Sequence, residues 1–170
     1  MRSYQVFAAM SPEQAAQMLR AIAEGAPATY ASGLQLASAA FKTRPAYLQR
    51  QPFAKRAASI RRALARVASN AVAQEILAVY FLECRKPLLV EWLDLVGVEH
   101  EGGVLSEETP APPPEGELRE AAERFRAADG DPDRELLLRA FAAQDSIDWP
   151  ALEALLGGGP DRPPDEHERR

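Results

Sequence analysis

The chain has 170 residues and a mass of 18.6 kDa, with 46% hydrophobic and 26% charged residues, enough for one good core but not for two large domains. Its 32 alanines outweigh 15 valine, isoleucine and threonine residues combined, which favours helix and excludes an all-β or doubly wound fold. The single cysteine, Cys84, excludes an internal disulfide framework and a zinc site built from several thiolates and points to a reducing, cytoplasmic setting; no run approaches the roughly 20 apolar residues of a membrane span, so no membrane partner is expected.

The net charge of −5 divides unevenly: residues 1–74 carry +8 and residues 75–170 carry −13. No carboxylate occurs between residues 25 and 74, a stretch that holds Lys42, Arg44, Arg50, Lys55, Arg56, Arg61, Arg62 and Arg66. Such asymmetry marks either an anionic partner or attraction between the two halves of one chain. The second use is the one expected here.

Residues 4–10 are a short apolar run, cut off by Pro12 and Glu13 before they could serve as a targeting signal. Ser11 as N-cap, Pro12 at the first helical position and Glu13 in the first turn open a helix over roughly residues 12–24, with Ala15, Met18, Leu19, Ile22 and Ala23 at helical spacing. Thr29 is placed to cap a second helix, in which Tyr30, Leu34, Ala37 and Phe41 step by four, three and four. Nothing in residues 28–41 is charged, so this helix is expected at the centre, with neighbours approaching Gly33 closely.

Thr43 and Pro45 start a short helical turn carrying Tyr47 and Leu48, and Pro52 opens the longest periodic segment. Phe53, Ala57, Ile60, Leu64, Val67 and Ala71 form one apolar stripe. Unbroken to Arg85 this helix would be about 50 Å long, so a break near Ser69 and Asn70 is the alternative. Pro87 forces a boundary, after which Leu88, Leu89, Trp92, Leu93 and Val96 line a helix closed by Gly97, with Val98 packing back on its end. Residues 99–103 read as a turn and Val104 with Leu105 as a brief extended stretch.

Residues 106–116 hold three Glu and four Pro and read as a stiff linker between a helical bundle over residues 1–105 and a helical unit over residues 117–156. Leu118, Ala121, Ala122 and Phe125 mark the first helix of that unit. Asp131 with Pro132 starts the second, holding Leu136, Leu137, Leu138, Ala140 and Phe141. Asp148 reads as the N-cap of the third, with Ile147 and Leu152 as a hydrophobic staple. A unit of about 40 residues is near the lower limit for folding alone. It is therefore expected to dock through Leu136, Leu137, Phe141, Trp149, Leu152 and Leu155, placing the acidic half against the basic half. Residues 157–170 read as a disordered tail.

Catalytic material is sparse. His167 falls in the tail and His100 stands near no second histidine at ligand spacing, so the run Glu99, His100 and Glu101 reads as a surface turn rather than a metal site. Pro87 and Gly97 fold the chain twice between Cys84 and His100, which allows a nucleophilic pair, but Cys84 is read as a packed, inert thiol and His100 as a surface histidine. The carboxylates Asp129, Asp131 and Asp133 lack the glycine and closing glutamate of an EF-hand, and Gly157, Gly158 and Gly159 follow a helix instead of opening one. No catalytic, metal or cofactor residue is assigned and no cofactor is expected.

The basic segment has more content. Lys55, Ser59, Arg62 and Arg66 share the side of the long helix opposite Ile60 and Leu64. Lys55 and Arg56 occupy a first turn where the helix dipole favours anions, and Arg44 and Arg50 arrive from the preceding turn to converge near Pro52. The candidate anion- or partner-binding residues are thus Arg44, Arg50, Lys55, Arg56, Arg62 and Arg66, with Tyr47 and Phe53 interleaved and no helix-turn-helix register. The expected fold is an all-α bundle of about six or seven helices with a smaller C-terminal helical unit. The expected function is that of a non-enzymatic interaction or regulatory protein, acting on an unidentified protein partner or through self-association. Anion or nucleic-acid binding through residues 42–66 is the alternative, and an enzyme with a scattered site the third reading. A polar pocket within the bundle would favour the enzyme, an exposed apolar groove the interaction protein.

Overall fold

Prolines set where most of the helices begin. The computed structural model describes residues 1–157, and in it Pro12, Pro27, Pro45, Pro87, Pro132 and Pro150 take the first or second helical position while Pro52 and Pro114 are N-caps. At these places the missing N–H costs nothing and the ring presets the backbone. The order is α1 (Ser3–Ala9), α2 (Pro12–Gly25), α3 (Pro27–Ala40), α4 (Pro45–Arg50), α5 (Phe53–Leu64), a 3₁₀ turn (Val67–Ser69), α6 (Asn70–Val79) and a π-helical turn (Tyr80–Cys84). There follow α7 (Lys86–Leu95), the strands β1 (His100–Glu101) and β2 (Val104–Leu105), α8 (Glu115–Ala127), α9 (Pro132–Ala142) and α10 (Pro150–Leu155).

The all-α class holds. Among the described residues the one sheet is a two-residue hairpin, His100 opposite Leu105 and Glu101 opposite Val104, turned by Gly102 and Gly103 at φ +58° and +93°. Both glycines lie in the left-handed region that a two-residue hairpin loop demands. Gly97 closes α7 at φ +69° and Val98 donates its N–H to the Leu93 carbonyl at 3.0 Å, the helix end expected from Gly97. No helix of the described residues is long and apolar enough to cross a membrane.

Helices α2, α3 and α5 pack on one another, and the close approach to Gly33 is real: a Cβ added there would lie 3.2 Å from Cγ2 of Ile60. Helix α1 lies against α5, α6 and α9, with Phe7 fully buried, although nothing but a short apolar run marks it in the sequence. Helices α8 and α10 cover α9, and Trp92 of α7 meets Phe125 of α8 at 5.4 Å and Phe141 of α9 at 6.1 Å. The apolar residues of both halves form one continuous buried cluster.

Three local expectations change. Thr29 lies inside α3, because Pro27 at the first position makes Ala26 the N-cap. Asp148 is exposed and Trp149 is the N-cap of α10, for the same reason with Pro150. The stripe on the long segment runs only to Leu64: Arg66 is extended, so Val67 turns outward to 72% exposure and Ala71 is exposed as well. Arg66 reaches the Ala40 carbonyl at 3.1 Å and the Asn70 side chain accepts the Tyr4 N–H at 3.2 Å, contacts that hold the break from both sides. Of the expected tail, residues 158–170 lie outside the described residues.

Candidate functional site

The six candidate cations lie on α4, α5 and the segments flanking them, in three groups. Arg44, the N-cap of α4, and Arg50 at its end are both exposed and bracket Tyr47, itself 59% exposed. Arg56 of α5 stands over the rings of Phe53 at 5.4 Å and Tyr30 at 6.0 Å, and Arg20 of α2 covers Phe53 at 4.4 Å. Arg62 and Arg66 share Phe41 at the end of α3, at 5.0 and 4.9 Å. Stacking on rings holds these planar guanidinium groups in place; Arg66 also donates to the Ala40 carbonyl at 3.1 Å, and Nε of Arg56 is buried. Lys55 is exposed and, among the described residues, covers no ring.

The backbone at the start of α5 offers fewer free donors than a helix start could. The Lys55 and Arg56 amides donate to the Pro52 carbonyl at 3.0 and 3.1 Å, so those two donors are already used. Arg20, Phe41 and Tyr30 join the face although the sequence offers no local sign of it, because they come from α2 and α3. Lys42 also stands here, exposed, at φ +52° in the residue after the α3 C-cap. Glycine normally fills that place, and a lysine there costs roughly 1–2 kcal/mol in backbone strain.

The two charged halves do not neutralise each other in the way the sequence suggests. Among the described residues, none of Lys42, Arg44, Arg50, Lys55, Arg56, Arg61, Arg62 and Arg66 forms an ion pair, whereas Arg2, Arg85, Arg119, Arg126, Arg134 and Arg139 all do. Arg61 instead donates to the carbonyls of Phe7 and Met10 at 3.3 and 3.0 Å. The acidic α9 region is clamped by residues outside the basic segment. Arg85 pairs with Asp131 and, at 3.0 Å, with Asp133. Arg134, 5% exposed, donates to both oxygens of Glu91 at 2.8 and 3.0 Å and both of Asp129 at 2.8 and 3.1 Å. The Arg134 hydrogen bond holds the Asp129 carboxyl below the usual carboxylate range, and the bonds to Asp129 and Glu91 raise the Arg134 guanidinium.

Tyr80 joins this clamp by donating to Asp133 at 2.6 Å. Burial first, then that hydrogen bond, pushes its phenol well above its ordinary value of 10.0. The folded state thus keeps Tyr80 neutral at a pH where the unfolded chain ionises it, so its contribution is intact below pH 10 and is lost as the pH rises further. Tyr80→Phe should cost about 1–2 kcal/mol at neutral pH for the lost bond. Thermal melts of both proteins between neutral pH and the strongly alkaline range should show this gap narrowing above pH 10; a constant gap would contradict the assignment.

A polar pocket of about 320 Å³ opens beside this clamp, lined by Cys84, Arg85, Glu91, Asp129, Asp131 and Arg134. Its charged residues are paired with one another, as a structural clamp requires. Cys84 directs its thiol to the Ala21 carbonyl at 3.5 Å, and burial, with Glu83 second, raises the thiol pKa. His100 accepts the Gly103 N–H on Nδ1 at 3.1 Å, so its Nε2 carries the proton offered to Asp94 at 3.0 Å. Both nitrogens are engaged away from Cys84. A separate apolar groove of about 210 Å³ runs along the π-helical turn, with Leu82, Leu89, Leu105, Phe141 and Ile147 among its walls.

Comparison with known protein families, with curated proteins and with solved structures found no match. What the chain can do follows from its own side chains.

Proposed function

We propose that the protein is a non-enzymatic cytoplasmic binding protein that holds an anionic partner on the face formed by α3, α4 and α5. The observation that carries this reading is the set of cations in residues 42–66, eight in number, without one carboxylate pair among the described residues. An ordinary solvated helix face interleaves both signs. Here four arginines are instead steadied on three aromatic rings, so little side-chain freedom remains to be lost on binding. The raised thiol pKa of Cys84 and the engaged ring of His100 favour binding over nucleophilic catalysis.

Fluorescence anisotropy with labelled polyphosphate tests it. Wild type should bind at low salt and weaken steeply as salt rises, because each neutralised phosphate releases counterions. Exchanging Arg62→Glu and Arg66→Glu together should weaken binding by at least about tenfold, as each reversal replaces an attraction with a repulsion. Helix content should persist except at the turn after Leu64, where the reversal removes the Arg66 bond to the Ala40 carbonyl, and cleavage by a Glu-specific protease at Glu107 and Glu108 should be unchanged, since neither arginine meets α8, α9 or α10. Absence of binding at low salt, or binding indifferent to both reversals, sinks the proposal.

A further inference from the structure

Building on the anion-binding reading, we propose that the anion is a single-stranded nucleic acid, with Tyr47 as the stacking platform for one base between phosphate contacts from Arg44 and Arg50. Tyr47 stands alone among the aromatic residues of this face. Tyr30 and Phe53 stack on each other at 6.1 Å, and Phe41 and Phe53 each carry two guanidinium groups, whereas Tyr47 is 59% exposed and meets neither a ring nor a cation among the described residues. Arg44, Tyr47 and Arg50 recur every three residues, which puts cation, ring and cation along one side of a helix about 9 Å long. Leu48, 6% exposed, ties α4 to the core one position, about 100°, round the helix from Tyr47, which stays outward.

An acidic peptide or a plain polyphosphate would use the cations and leave the ring idle. A duplex keeps its base faces stacked on one another and gives the ring nothing to cover. A single strand presents free base faces and regularly spaced phosphates together, the combination that aromatic residues set among cations recognise. Arg62 and Arg66, steadied on Phe41, and Lys55 on the same side of α5 extend the track for further phosphates.

The test uses the full chain and a labelled oligothymidylate of about 20 nucleotides, with polyphosphate, a duplex of equal length and polyglutamate for comparison. With about four phosphates neutralised, affinity for the oligonucleotide should fall about 50-fold from 50 to 200 mM salt. Tyr47→Ala should weaken that affinity about tenfold, Tyr47→Phe should restore it, and neither should alter polyphosphate binding. The exposure of Tyr47 makes both variants safe for the fold, which circular dichroism checks. If Tyr47→Ala leaves the oligonucleotide affinity unchanged, or weakens polyphosphate equally, or if the duplex or polyglutamate binds more tightly than the single strand, the nucleic-acid proposal is overturned and anion binding stands. Failure of every polyanion to bind at low salt overturns both.

Discussion

Trp92→Ala should destabilise the protein by roughly 3–5 kcal/mol, the range for a large aromatic removed from a core that cannot collapse around the void. Trp92 is fully buried, and its ring is the junction where α7 meets Phe125 of α8 and Phe141 of α9. Its truncation therefore weakens the contact between the bundle and the C-terminal helices as well as the packing of α7. The indole N–H of Trp92 has no hydrogen-bond partner among the described residues. A phenylalanine removes that unpaired donor while keeping much of the ring, so Trp92→Phe should cost only about 1 kcal/mol. Urea unfolding of the three proteins decides it: equal losses for Ala and Phe would show that the indole group makes a contact beyond packing.

Trp149→Ala should cost a similar 3–5 kcal/mol or so, and it should also release the proline-rich segment. Trp149 is 1% exposed, packs edge-on against Phe141 at 5.1 Å and donates its N–H to the buried Pro110 carbonyl at 2.9 Å. That bond ties the proline-rich segment to the C-terminal helices at Pro110. Trp149→Phe keeps the packing and orphans the Pro110 carbonyl, at about 1–3 kcal/mol. Both variants should be cut faster than wild type by a Glu-specific protease at Glu107 and Glu108, the alanine variant fastest. Unchanged cleavage in Trp149→Phe would show that the segment is held by its prolines instead.

The basic face shows how far local pattern reaches. That residues 42–66 are cationic and lack carboxylates is visible in the residues alone, and so is the side of α5 shared by Lys55 and Arg62, whereas Arg66, expected on that side, lies beyond the end of the helix. That Arg20 caps Phe53, and that Phe41 is the seat of two arginines, is not visible, because each pair joins elements whose relative placement depends on packing around Gly33 and Ile60. The halves meet in ion pairs at the N-terminus, Arg2 with Asp145 and the Met1 ammonium with Glu153, and not, among the described residues, through residues 42–66. Net charge counts residues but carries no directions, and the partners of Asp129, Asp131 and Asp133 turned out to be Arg134 and Arg85.

The same division runs through the fold. Helix composition, the prolines at helix starts, the Ser11 cap, the Gly97 stop and the glycine hairpin act over a few residues, through backbone geometry that each residue carries with it. Those features stood in the chain before any packing. Helix α1, only seven residues long, is too short to hold itself in water and exists because Phe7 is buried, Ser3 bonds the Ala143 carbonyl and Asn70 accepts from Tyr4. The break after Leu64 has neither glycine nor proline to announce it. Ser69 and Asn70 marked its far end in the sequence, and α6 does start at Asn70, but the exit at Leu64 is held by tertiary contacts, Arg66 with the Ala40 carbonyl and Asn70 with the Tyr4 N–H.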